Sequence, residues 1–474
     1  MPIETRGAQA IETKPGLVRG LNVWHATSIV AGTIIGSGIF LVPAEMMQAV
    51  GSAGLVYLAW VVGGFLSFFG ALTYAELGAV RPFAGGEYVY VRDAYGPLPG
   101  FLYGWTWFLI AKPASIASVT AALVRVLSTF STFNFLPHAF FSWQVTSTRI
   151  LTVNYGHLIA VAATVLITAL NYVGVRKAGN FQFAFTVLKV GMILTVAFVA
   201  FTAASGSWSN FGTTFAGAKG GVAGFMAALV AALWAYDGWN DLNMVSEEIE
   251  RPERTIPIAL IAGVGLVAVL YIGMNAGIQR ALPAAVIAQS AVPAAAASEV
   301  ALGRVGISLV SVGMIFSMLA TLNGTIMSGG RVPFAVARDG YLFKALAEVH
   351  PVFHTPSLAL IIQALVAILL IVLGGAFREL FSLAIFAEWL FYMVAASTIF
   401  VFRRREPDAT RPYKTAGYPV VPALFIGTAA VLLYYTFMSN LQDSIAGMIV
   451  ILLGIPVYLW FARQKSKGRA DSEI

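Results

Sequence analysis

The chain has 474 residues, of which 58% are hydrophobic and 11% are charged, and its mean hydropathy is +0.80. A chain of this composition cannot keep a soluble surface, so it is an integral membrane protein with no soluble domain left over. The net charge of +7 would suggest nucleic acid in a soluble protein, but here we expect the basic residues to follow membrane topology, with no nucleic-acid partner. The absence of cysteine excludes disulfides and thiolate metal sites.

Apolar runs of about 18 to 25 residues predict an all-α fold of about twelve membrane-spanning helices. The predicted spans are residues 22–48, 53–79, 98–128, 154–174, 181–204, 222–247, 257–279, 303–330, 356–375, 380–402, 419–438 and 443–462. The first apolar run is too long for a signal-peptide core, so we expect the first helix to be retained.

The distribution of basic residues predicts the topology. If the N-terminus is cytoplasmic, about 21 of the 29 Lys and Arg residues fall in inner loops and tails. By the positive-inside rule both termini are then cytoplasmic. We expect a multi-pass protein of the plasma membrane, with a prokaryotic cell membrane as its home.

The first predicted helix contains an unusual stretch, GTIIGSGIF over residues 32–40. Every backbone N–H and C=O must be paired in hydrocarbon, so an unwound stretch at mid-membrane survives only where it lines a cavity or meets a ligand. Unwinding would present free N–H groups and a positive helix end to a substrate carboxylate. The predicted carboxylate site is Ile35, Gly36, Ser37 and Gly38. The alternative is that the glycines only allow close helix packing.

The sixth predicted helix contains a second break, at Asp237-Gly238. Carbonyls freed there could accept hydrogen bonds from a substrate ammonium, and a neighbouring aromatic side chain could cover the bound molecule as a gate. The predicted amine site and gate comprise Ile34, Trp234, Tyr236, Asp237, Gly238 and Asn240. Alternatively, Trp234 faces lipid and Asn240 is a packing residue.

Breaks in helices one and six indicate two inverted repeats of five helices, because an odd number of helices reverses the orientation of the second repeat. The predicted organisation is an N-terminal tail (1–20), a first repeat (21–204), a second repeat (222–402), a basic cytoplasmic loop (403–418), two peripheral helices (419–462) and a C-terminal tail (463–474).

Four groups of residues resemble a known family. They are GTIIGSGIF (32–40), WAYDGWNDLN (234–243) with SEE (246–248), SGGRVPFAVARDG (328–340) and RPYKTAGYP (411–419). In them the chain resembles the amino acid, polyamine and organocation (APC) transporter superfamily, and within it the L-type amino acid transporters (LAT family), particularly their bacterial members.

This resemblance implies a LeuT-type 5+5 inverted-repeat core with two extra helices, alternating access, and amino acid transport without sodium. In the family, the helix-one segment binds the substrate carboxylate, Trp234 aligns with an aromatic gate and Asn240 aligns with a polar residue near the substrate. Animal members attach a heavy subunit through a cysteine after helix three. This chain has no cysteine, so we expect no disulfide-linked partner and no cofactor.

Charged residues within the predicted spans are functional candidates. Asp237 departs from the small residue of animal L-type proteins; it could pair with the substrate amine, take a proton or neutralise a lysine. The resemblance places Lys189 near the sodium site of sodium-coupled relatives, so its ammonium could replace the cation and bridge helices one and eight; the alternative is snorkelling. Lys112 could select an acidic side chain, or pair with Asp237 or Glu388.

We therefore expect a transporter rather than an enzyme, acting as an exchanger (antiporter) or facilitator of neutral L-amino acids. The main alternative is a proton-coupled transporter of cationic amino acids or polyamines that uses Asp237 and Glu388. A membrane-embedded enzyme would need a cluster of catalytic His, Asp or Cys that the sequence does not show, and a sensor without flux is a further alternative. The five histidines lack metal-ligand spacing, so no metal site is expected.

Overall fold

The computed structural model describes residues 16–144, 150–373, 377–439 and 441–470. Its first half contains α1 (Val23–Ile34), α2 (Gly38–Val50), α3 (Ala53–Val80), α4 (Glu87–Tyr95), α5 (Pro97–Thr106), a π-helical segment (Trp107–Ala111), α6 (Lys112–Leu127), strands β1 (Ala139–Gln144) and β2 (Ile150–Asn154), α7 (Tyr155–Tyr172) and α8 (Val175–Phe201). The two strands pair antiparallel as a hairpin between α6 and α7.

The second half is also helical. It contains α9 (Gly221–Ala235), α10 (Asp241–Met244), α11 (Pro252–Ala281), α12 (Ala284–Gln289), α13 (Pro293–Leu302), α14 (Arg304–Gly329), α15 (Arg331–Arg338), α16 (Ser357–Leu373), α17 (Phe377–Arg405), α18 (Val420–Ser439), α19 (Leu441–Leu452) and α20 (Gly454–Ala470). Single 3₁₀ turns lie at Ser131–Phe133, Trp208–Gly212, Ser246–Glu248 and Lys344–Ala347.

The length and hydropathy of these helices establish a multi-pass membrane protein. Within the described ranges, ten helical spans are long and apolar enough to cross a membrane, and α9 and α16 are shorter apolar helices. These two lie where the sixth and ninth spans are predicted. The twelve-helix count and the LeuT-type repeat remain predictions.

Local sequence signals explain several helix boundaries. The side chain of Asn22 accepts hydrogen bonds from the backbone N–H groups of Trp24 and His25, and the His25 ring contacts the Asn22 N–H in return. Asn154 and His157 repeat this reciprocal cap at the start of α7. Such caps satisfy amides that a helix leaves unpaired at its first turn.

One predicted helix boundary differs from the structure. The fifth predicted helix begins at Val175 instead of 181, because the basic segment VRKAGN (175–180) is itself helical. The loop after the seventh predicted helix forms α12 and α13, and the side chain of Gln48 on α2 donates to the Ala288 carbonyl over 2.6 Å. This loop therefore packs against the second half of the broken first helix.

We call the end of the bundle around Leu21, Glu248 and Arg331 the inner end, because the charge pattern predicts that it faces the cytoplasm. There the N–H of Leu21 donates to the Glu248 carbonyl over 3.0 Å. Arg331 and Glu248 form a bidentate ion pair of 2.7 and 2.9 Å, and both side chains are fully buried. Glu247 pairs with Arg338 over 2.9 Å. These contacts close the inner end.

The buried pair at the inner end should contribute strongly to stability. Replacing Arg331 by Gln leaves the Glu248 carboxylate buried without its cation, a change that costs about 3–5 kcal/mol. We expect a clearly lowered unfolding temperature in detergent, measured by differential scanning fluorimetry.

Arg338→Gln is the matched control, because the Arg338–Glu247 pair is partly exposed, with 38% of the arginine side chain accessible. Partly exposed pairs contribute about 0–1 kcal/mol. Equal unfolding temperatures for the two variants would contradict this interpretation of the buried pair.

Candidate functional site

The two broken helices meet each other in the middle of the bundle. The hydroxyl of Thr33, near the end of α1, lies 2.8 Å from the Gly238 carbonyl oxygen and 2.6 Å from the Ile29 carbonyl oxygen of its own helix. The hydroxyl of Tyr271 on α11 lies 2.8 Å from the Ala235 carbonyl and 3.2 Å from the Ile34 carbonyl. These bonds hold the break at 35–37 beside the break at 236–240.

A cavity of about 110 Å³ lies at this junction. Six of the residues that the sequence predicts for the site line it: Ile34, Gly36, Ser37, Gly38, Trp234 and Asp237. The remaining lining residues are Thr33, Ser115, Ser118, Val119, Ala122, Ala235, Met318 and Thr321. Trp234 is 38% exposed and forms part of the wall, and its gate role stays a prediction.

One wall of the cavity offers hydrogen-bond donors. The helix α2 starts at Gly38, and no backbone carbonyl of the described residues accepts from the N–H groups of Ser37, Gly38 or Ile39. The Ser37 side chain does not cap the helix, so its hydroxyl is also available. A helix N-terminus with free amides carries partial positive charge and binds carboxylates.

The opposite wall offers a charged acceptor. The Ala235 carbonyl already accepts from Tyr271, and the Gly238 carbonyl faces the Thr33 hydroxyl at 2.8 Å. Asp237 lines the cavity, its Oδ1 lies 3.0 Å from the Tyr392 hydroxyl, and it forms no ion pair with any described residue. The Asp237 carboxylate is therefore placed to meet an ammonium group.

Glycine is needed at two positions of this junction. A Cβ atom on Gly38 would lie 3.1 Å from the Ala235 Cβ and 3.2 Å from its Cα. Gly238 has φ of +106°, and a Cβ there would lie 3.1 Å from the Thr33 backbone. The first glycine allows α2 to approach α9, and the second allows the turn after α9 to approach α1.

Four residues of the predicted carboxylate and amine sites lie outside the cavity lining. The Ile35 side chain is buried, and Tyr236 packs against Trp60 and Tyr271, with ring centroids 5.6 and 5.0 Å away. Gly238 packs on Thr33 as described. The Nδ2 of Asn240 donates to Glu87 over 2.6 Å, which corresponds to the packing alternative for Asn240 rather than to substrate contact.

Lys189 on α8 is buried, and its ammonium group contacts backbone carbonyl groups. Its Nζ donates to the carbonyls of Gly32 and Ile35, both over 2.7 Å, and lies 3.3 Å from that of Ser317 on α14. The ammonium thus links the end of α1 to α14, and the snorkelling alternative does not describe this side chain. The hydroxyls of Ser317 and Thr321 also donate to the Ile35 carbonyl, over 2.7 and 3.2 Å.

Lys112 forms a buried ion pair with Asp241 on α10. The expected partners, Asp237 and Glu388, are therefore wrong as ion-pair partners. The π-helical segment ends immediately before Lys112, and the extra residue in its turn rotates the lysine relative to the preceding helix. Glu388 on α17 is half-buried and has no hydrogen bond or ion pair with the described residues.

Sequence reasoning missed Asp241, Glu87, Tyr392, Tyr271, Ser317 and Thr321. Asp241 had a usable signal, because it follows Asp237 by four residues and so repeats a carboxylate at mid-membrane. The sequence contained no such signal for Ser317 and Thr321, because Ser and Thr side chains in apolar helices usually form hydrogen bonds with their own backbone. Among the described residues no group of three or more His, Asp or Glu side chains could hold a metal ion.

Comparisons with known proteins show the family of the chain. The family model described as "Amino acid permease" matches residues 21–468. The mouse b(0,+)-type amino acid transporter 1 is 30% identical over 96% of this chain and 89% of its own length. The serine/threonine exchanger SteT of Bacillus subtilis is 29% identical over 95% and 98%. The human large neutral amino acids transporter small subunit 2 is 31% identical over 99% and 84%.

The close approach of α2 to α9 gives a test of the site. In Gly38→Leu, the new side chain must occupy the space of Ala235 and Trp234 and obstruct the free amides. We expect at least a tenfold loss of affinity, about 1.4 kcal/mol, for any amino acid that raises the unfolding temperature of the unaltered protein in detergent.

Gly191→Leu is the control, since no atom lies within 4 Å of a Cβ at that helical position. It should keep the ligand-induced shift. Unchanged affinity in a folded Gly38→Leu protein would remove the binding site from the α1–α2 break.

Proposed function

This chain belongs to the amino acid permease family and is an amino acid transporter rather than an enzyme, and from that premise we propose that it is a sodium-independent secondary transporter of neutral L-amino acids. The observation that carries the proposal is the single cavity with free amides of α2 on one wall and the Asp237 carboxylate on the other. A zwitterion offers the complementary charges, a carboxylate and an ammonium, on one carbon atom.

The free amides of α2 and the Asp237 carboxylate lie on opposite walls of the cavity and define the orientation of the substrate. Its carboxylate accepts from the N–H groups of Ser37, Gly38 and Ile39 and from the Ser37 hydroxyl. Its ammonium faces Asp237, and Trp234 covers it as the gate. Such charge-assisted hydrogen bonds are stronger than bonds between neutral groups.

The remaining cavity wall favours a small neutral side chain. Ser115, Ser118 and Ala122 are small and uncharged, and Met318 on α14 is apolar. With about 110 Å³ available, this wall holds a short side chain without a buried partner charge. A name among the relatives, serine/threonine exchanger, is consistent with such a substrate.

Lys189 supports the absence of sodium coupling. Its ammonium already occupies the carbonyls of Gly32 and Ile35, which are the oxygen ligands that a cation would otherwise need. A fixed positive charge at this point stabilises the end of α1 permanently. The transporter would then need no ion to assemble its site.

Alternating access follows from the same junction. We propose that the repeats 21–204 and 222–402 rock against each other around the two breaks, in a LeuT-type core of twelve helices with both termini cytoplasmic. The inner end is closed in this structure by Arg331–Glu248 and Arg338–Glu247. We further propose that the chain works in the cell membrane without a disulfide-linked subunit.

Exchange in proteoliposomes tests the proposal. Vesicles loaded with unlabelled L-serine should take up labelled L-serine, and empty vesicles should take up little. Uptake should be the same in sodium and potassium buffers, and an imposed pH gradient should cause no accumulation. Sodium-driven accumulation into empty vesicles would contradict the proposal.

A second candidate function is proton-coupled transport of cationic amino acids or polyamines. It is favoured by Asp237, which lines the cavity without an ion pair among the described residues, and by Glu388. This function predicts accumulation of labelled arginine or putrescine driven by a pH gradient, lost in Asp237→Asn. Neutral exchange without such accumulation favours the first candidate.

The position of Lys189 predicts a variant that separates transport from binding. Lys189→Ala removes the cation from the end of α1 but leaves the cavity wall intact. We expect exchange to fall at least tenfold while the ligand-induced thermal shift changes by less than a factor of about three. Thr195→Ala, an exposed position on the same helix, is the control. Wild-type turnover in Lys189→Ala would exclude a transport role for this lysine.

A further inference from the structure

Glu87 is a buried carboxylate that the proposed transport cycle does not use. It is the first residue of α4 and is fully buried. Its Oε1 accepts from the Nδ2 of Asn240 over 2.6 Å, and its Oε2 accepts from the Tyr103 hydroxyl over 3.2 Å. No Lys or Arg of the described residues forms an ion pair with it, so its negative charge would be uncompensated.

The position of Glu87 connects it to the contacts that close the inner end. Its segment is bonded to the segment after the helix-six break at two further points. The Gly85 N–H donates to the Met244 carbonyl over 2.9 Å, and the Ala84 N–H donates to the Glu247 carboxylate over 3.0 Å. Opening between these two segments would admit water to Glu87.

We propose that Glu87 is a proton-binding site at the inner end, which holds a proton while the inner end is closed and releases it to the cytoplasm when the inner end opens. While the inner end is closed, the protonated carboxyl group of Glu87 keeps both hydrogen-bond partners. It accepts a hydrogen bond from Asn240 and forms one with the Tyr103 hydroxyl. In the open structure water solvates the carboxylate. The proton enters and leaves on one side, so it regulates opening and is not carried across.

The surroundings of Glu87 agree with this assignment. The buried Lys112–Asp241 pair contributes one charge of each sign, and the other titratable neighbours are the neutral tyrosines Tyr74, Tyr90, Tyr103 and Tyr392. Burial is the largest effect and raises the pKa of Glu87 to about 7, from an ordinary value of 4.5. Protonation thus stabilises the closed inner end below pH 7, and this stabilisation is lost as the pH rises through 7.

The absence of cysteine permits a test that needs no substrate. In an Ala84→Cys reporter, the thiol replaces a fully buried methyl group at the inner end and reacts with a maleimide only after opening. At each pH, the rate of maleimide labelling is divided by the rate at which the same maleimide reacts with glutathione. This ratio corrects for the titration of the thiol itself. We expect the normalised rate to rise on the order of tenfold between pH 5.5 and 8, with a midpoint near 7.

Two variants in the reporter background decide the assignment. Glu87→Gln mimics the protonated acid, so the normalised rate should stay low and independent of pH. Glu348→Gln removes an exposed carboxylate from the loop after α15 and should keep the pH profile. The proposal would be overturned if the normalised labelling rate of the Ala84→Cys reporter did not change with pH. It would also be overturned if Glu87→Gln left that pH dependence unchanged.

Tyr103→Phe keeps the proposal testable if Glu87→Gln does not fold. It removes a donor that stabilises the charged carboxylate, so the midpoint should move to higher pH. A midpoint that stays unchanged in Tyr103→Phe would assign the pH dependence to another group and overturn the proposal. Since no amino acid is present, none of these outcomes depends on the proposed substrate.

Discussion

The pairing of backbone carbonyls at the end of α1 is the constraint on which the site depends. A helix that stops in hydrocarbon leaves its last carbonyls without partners, and each unpaired group costs several kcal/mol. Here Lys189, Ser317 and Thr321 donate to these carbonyls. The acceptors of the break are thus satisfied by the protein, whereas the donors at the start of α2 are left for a ligand.

This division also explains why the two breaks lie together. The groups that complete the end of α1 come from α8 in the first predicted repeat and from α14 in the second. Thr33 and Tyr271 then tie the same region to the turn after α9. Any relative movement of the repeats must change these bonds, so occupancy of the cavity and the conformation of the bundle are physically linked.

Hydropathy and helix-breaking residues were sufficient to predict the ten long apolar spans, both breaks and six of the fourteen residues that line the cavity. They work because a bilayer imposes length and hydropathy on each span. Which residues pair across helices depends instead on the helix face that each residue occupies. Hydropathy along the sequence does not specify that face. Lys112 and Asn240 show this limit: the first pairs with Asp241 and the second with Glu87, neither of which was predicted.

The π-helical segment before Lys112 has a consequence for how the periodicity of this span is counted. A π-helical turn takes up one residue more than an α-helical turn. Residues after the segment are therefore displaced by about 100 degrees from the faces that an uninterrupted helix of 3.6 residues per turn would give them. A pattern counted straight through Trp107–Ala111 assigns Lys112 to the wrong face, so the count has to start again at Lys112.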